Sequence, residues 1–130
     1  MPLATDIENE ISSLFDDWNT ALQTGDSRAV GALYAEDATL IPTLSNEIRQ
    51  TPAAIESYFT KFMMLLPKAS IIHQTIRRFA AIAINSGIYS FETNVDGAVH
   101  VLVARFTFVY RKDGDTWKII EHHSSAMPEA

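Results

Sequence analysis

Residues 99–125 constrain the fold more than any other stretch, because they alternate like two long strands joined by the polar turn Lys112-Asp113-Gly114-Asp115. Successive side chains of a strand point to opposite faces. Leu102, Ala104, Phe106, Phe108 and Tyr110 therefore share one face, and Val101, Val103, Arg105 and Thr107 the other. Pairing Arg111 with Thr116 across the turn assigns His122 and Ser124 to the Arg105 face, and Trp117, Ile119, Glu121 and His123 to the aromatic face. A one-residue slip exchanges His122 for His123. The expectation is a cationic, hydrogen-bonding patch in an apolar wall, suited to a small polar or anionic organic ligand.

The rest of the chain supplies what such a hairpin packs against. Leu3, Ile7, Ile11, Leu14, Phe15, Trp18 and Leu22 recur at steps of three and four, the stripe of an amphipathic helix. Thr5-Asp6-Ile7-Glu8 fits a capping box at its start, and Gly25 marks its end. Asp26 then caps a short helix bearing Val30, Leu33 and Tyr34. A brief strand at 39–41 follows. Thr51-Pro52 opens a third helix, with Ile55, Tyr58, Phe59, Phe62, Met63 and Leu66 on its apolar side, and Pro67 closes it. Residues 69–84, 87–95, 98–111 and 116–125 read as strands, with Asp96-Gly97 as a two-residue turn. The fold class is α+β: one domain over 1–130, a curved, cone-shaped antiparallel sheet with three N-terminal helices on its concave face.

Composition closes off several functions. A formal charge of −6 with no basic run argues against nucleic acid as a partner. The chain has no cysteine, which removes disulfides and thiolate chemistry. No stretch approaches the length of a membrane span, and the start lacks a secretory pattern, so a cytoplasmic location and no membrane contact are expected. Adjacent His122 and His123 point to opposite faces and cannot chelate one metal ion, and no cofactor is expected.

Ala21-Leu22-Gln23-Thr24-Gly25-Asp26, Leu33-Tyr34-Ala35-Glu36-Asp37-Ala38-Thr39, Ile55 to Phe59 and Trp117 to Ser125 occur in an order that resembles the nuclear transport factor 2-like superfamily. That superfamily includes ketosteroid isomerases and SnoaL-like cyclases. The ending from Arg105 to Ser125 is most similar to bacterial relatives of the association domain of calcium/calmodulin-dependent protein kinase II. The isomerase resemblance implies an aspartate base, but the matching position is Ile41 or Pro42, and the helix tyrosine is Trp18; that chemistry is not expected. The association-domain resemblance implies cavity arginines, and the matching positions are Ser90, Thr107 and Ser124.

Arg105 among valines needs a partner if it is buried, and the preceding strand places Ile88, Ser90 and Glu92 on its face, with Glu92 as a candidate counter-ion. The candidate ligand-binding set is Arg105, Thr107, Ser124, Ser90 and Glu92. Trp18, Tyr58 and Phe62 form apolar walls, and Arg49 with Asn46 stands at the mouth. His122 is the candidate general base for an isomerisation or cyclisation of secondary metabolism. Both sheet faces are too apolar to stay wet, so one takes the helices and the other a second copy, giving a homodimer packed sheet to sheet. The contrasting reading is a hub-like association module with a vestigial pocket.

Overall fold

The computed structural model describes residues 4–129. The order is α1 (Ala4–Leu22), α2 (Ser27–Gly31), β1 (Tyr34–Ile41), α3 (Pro52–Phe62) continuing into a 3-10 turn (Met63–Leu65), β2 (Lys68–Phe79), β3 (Ile82–Val95), β4 (Ala98–Asp113) and β5 (Thr116–Ala126). Ile11, Phe15, Trp18 and Leu22 of α1 are all buried, as the stripe requires. The predicted capping box at Thr5 and the stripe position Leu3 lie outside the described side chains. Gly25 stops α1 with φ +77°, and the Asp26 carboxylate accepts the Arg28 backbone N–H at 3.0 Å to start α2. Thr51 caps α3 by accepting the Ala54 N–H at 3.1 Å, one residue before Pro52.

The strands form one sheet in the order β1-β5-β4-β3-β2. Its four-strand meander is antiparallel, but β1 runs parallel to β5, so the sheet is mixed, and β1 begins at Tyr34 rather than Thr39. The first hairpin turn also differs from expectation. It falls at Ala80-Ala81, with Phe79 opposite Ile82, rather than at Asn85-Ser86. The Asn85-Ser86-Gly87 stretch looks like a turn in sequence, yet it lies inside β3, where Asn85 is wholly buried and donates to Gln74 Oε1 at 3.0 Å. Asp96-Gly97 does turn the chain, with both residues at positive φ and Val95 opposite Ala98.

Helices and sheet meet over a core of aromatic rings. Phe15 and Trp18 from α1 and Phe59 and Phe62 from α3 pack on Tyr89, Phe91, Phe106 and Phe108 of the inner sheet face. Helix α1 is also tied to the free edge of the sheet. The Asn19 carboxamide donates to the Ala69 carbonyl and accepts the Ala69 N–H, both at 2.9 Å, in place of a neighbouring strand.

Candidate functional site

The faces of β4 and β5 are set by one extra residue. Tyr110 pairs with Ile119, but Val109 pairs with Glu121, leaving Ile120 without an opposite number: a β-bulge. Before the bulge the expected faces hold, with Trp117 and Ile119 buried among the aromatics. After it every side chain changes side. His122 now pairs with Phe108 and Ser124 with Phe106 on the inner face, while Glu121 and His123 join Val109 and Thr107 on the outer face.

The anion-binding patch expected around Arg105 is therefore not formed. Arg105 is exposed on the outer face opposite Ile88, and Ser90 and Glu92 share that face, as expected, but stand outside the hollow with it. Thr107 is half-buried between Ser86 and His123. An exposed guanidinium meets water and needs no counter-ion, which answers the requirement that suggested Glu92. The aromatic face, and not the Arg105 face that was expected to line the hollow, is the one that receives the helices.

Ser124 and the apolar candidates do converge. A hollow of about 20 Å³ lies between sheet and helices, and its wall includes Trp18, Thr43, Tyr58, Phe62, His122 and Ser124. That volume admits about one water-sized group. Arg49 borders a neighbouring mouth pocket of about 250 Å³ whose wall shares Leu44, Tyr58 and Phe62 with the hollow. Its guanidinium donates to the Ala54 carbonyl at 3.2 Å and lies 5.8 Å from the Tyr58 ring centre. Asn46 is exposed and borders neither space.

His122 is the centre of a directed hydrogen-bond chain. Trp18 Nε1–H can only donate, and it donates to Tyr34 Oη at 3.1 Å. The Tyr34 hydroxyl proton is then free for His122 Nδ1 at 2.8 Å, which makes Nδ1 the acceptor and puts the imidazole proton on Nε2. Nε2–H faces Tyr89 Oη at 3.2 Å, and the Tyr89 hydroxyl donates to Ser124 Oγ at 2.6 Å. Thr43 Oγ1 joins at 2.6 Å from the loop after β1. Full burial, with His123 adding a smaller charge repulsion, pushes the His122 pKa down to about 3, and the Phe108 ring stacks on the imidazole at 4.0 Å. Burial likewise pushes Tyr34 and Tyr89 upward, so both stay protonated donors. An imidazole with both nitrogens engaged and so low a pKa lacks the basicity that a general base uses near neutral pH.

Tyr34, Tyr89 and Thr43 were not singled out in the sequence, because a buried tyrosine ring reads as core and its hydroxyl partner is distant in the chain. Tyr34→Phe strands both the Trp18 N–H and the His122 Nδ1. It is expected to lower stability by about 1–3 kcal/mol in urea denaturation, and ¹⁵N NMR of His122 is expected to show the Nε2–H tautomer in the unmodified protein.

The model of the calcium/calmodulin-dependent protein kinase II association domain matches residues 7–128. The chain belongs to this family. A solved Xanthomonas campestris structure described under the same family name is 45% identical, with a TM-score of 0.91 over 93% of this chain and 88% of that one. An NTF2-like protein from Novosphingobium aromaticivorans shares the fold at 16% identity, with a TM-score of 0.79 over 95% and 83% of the two chains. A Salmonella enterica superfamily member does so at 14% identity, with a TM-score of 0.81 over 95% and 93%. No curated protein matches. Among the described residues no cluster of three metal-ligating side chains occurs, and no helix is long and apolar enough to cross a membrane.

Proposed function

We propose that this association-domain protein is a self-associating module, and that two copies pack through the outer face of the sheet. The observation that carries this reading is the state of that face once the helices have covered the other. Val101 is 67% exposed and Val99 58%, beside the half-buried Ile84, Ile88, Val103 and Val109. An apolar band along two central strands favours removal from water, and a second copy of the same face is self-complementary about a two-fold axis. Arg105 lies within that band and becomes an interface residue in this reading, which gives its exposed charge a role that the hollow does not.

The hollow offers little to an isomerase or cyclase. Its wall holds no Asp, Glu, Lys or Arg, and its one imidazole is locked neutral. The test is sedimentation velocity at micromolar concentration. The expected species is at least twice the 14.5 kDa chain mass, and Val101→Glu with Val103→Glu is expected to return it to a monomer of that mass. A wild-type protein that sediments as a monomer would overturn the proposal.

A further inference from the structure

The hydrogen-bond chain around His122 ends with a proton to spare. Trp18, Tyr34, neutral His122, Tyr89, Ser124 and Thr43 each carry one donatable side-chain proton, and the contacts that join them use all but one. Trp18 fixes the direction at one end, so the protons of Tyr34, His122 and Tyr89 are consumed in turn. The unused proton falls on Ser124, or on Thr43 if the last hydroxyl contact runs the other way. Both side chains line the hollow.

We propose that the hollow is a binding site for the carbonyl-type oxygen of a small neutral organic molecule, held by the hydroxyl proton at the Ser124–Thr43 end of the chain. The body of the guest lies in the mouth pocket behind Tyr58 and Phe62. Three observations select this chemistry. The hollow admits one water-sized group, so an oxygen fits where a whole molecule does not. No cation borders it, and a carboxylate moved from water to a single neutral donor is poorly compensated. Ser124 Oγ already accepts from two hydroxyls, so what it has left to offer a guest is its own proton, which an acceptor oxygen takes. Arg49 and Lys61 stand only at the outer pocket. The site is independent of self-association.

The experiment titrates ¹⁵N-labelled protein with 2-pentanone, butyrate and butylammonium, three probes of similar size that differ in charge and donor character. The expected result is saturable shifts at the Thr43 and Ser124 amides with the ketone, and at least tenfold weaker binding of both ions. Ser124→Val, which removes the hydroxyl and fills the space, is expected to abolish the ketone's shifts. Should that variant not fold, the order of the three probes on the wild-type protein decides alone. Butyrate binding as well as the ketone, equal binding of all three, or no saturable shift with the ketone would each overturn the site.

Discussion

Gly87→Ala is expected to destabilise the protein by about 3 kcal/mol, at the upper end of what inserting a methyl group costs in a packed interior. The reason is backbone rather than conformational freedom. In β2, Ile71 pairs with Tyr89 and His73 with Ile88, so Ile72 is bulged out and the His73 carbonyl is turned toward β3. A Cβ on Gly87 would lie 1.9 Å from that oxygen and 2.7 Å from its carbon, and a main-chain carbonyl inside a ladder has nowhere to retreat. Relief requires the β2–β3 pairing to open. A fall in Tm of roughly 10 °C or more is expected in a thermal melt. Gly97→Ala is the control: it has open space around it but φ of +82°, so it is expected to cost only about 1 kcal/mol. Equal losses at the two sites would mean that the bulge carbonyl moves freely.

The second large effect is a loss of stability on acidification through His122. The unfolded chain takes up a proton there near pH 6.5, whereas burial in the fold delays uptake to about 3. Below 6.5 the unfolded state therefore binds more protons. Stability is full above 6.5 and falls as pH drops toward 3, with a slope of at most ~1.4 kcal/mol per pH unit. Asp26, held low by the Arg28 backbone N–H, and Asp37, held low by Arg111, act in the same direction only nearer their ordinary value of 3.8. The window from pH 6.5 to 5.5 isolates the imidazole. Urea denaturation is expected to show a loss of about 1 kcal/mol across it, and His122→Gln is expected to remove that dependence. An unchanged slope in the variant would show that His122 takes up its proton in the fold as readily as in the unfolded chain.

Much of the architecture was legible because it rests on local rules. The α1 stripe, the caps at Asp26 and Thr51, the Asp96-Gly97 turn and the four-strand order of the meander all follow from spacing and turn chemistry, and the larger departures are the start of β1 and the β2–β3 turn. Trp18, Tyr58, Phe62, His122 and Ser124 were legible as site residues, but the face they share was not, because it depends on the one bulged residue, Ile120. Alternation carried past Ile119 puts Glu121 among phenylalanines, a burial that needs a partner none of them provides. That misfit was the available signal that the strand changes face. The doublets His122-His123 and Ser124-Ser125 hid it, since either register presents a histidine and a serine. Asn85-Ser86-Gly87 misled for a related reason: Gly87 is required by the close approach of the neighbouring strand, not by a turn.

The carboxamide of Asn19 bears on how copies of this chain meet. An open outermost strand invites another strand to add beside it, and such addition repeats without limit, as in fibrils. Asn19 occupies the rung at Ala69 with its own donor and acceptor, so an incoming strand finds that position already satisfied. Growth sideways is discouraged at that end, in keeping with the proposed contact through the broad side of the sheet, which would close on itself after two copies.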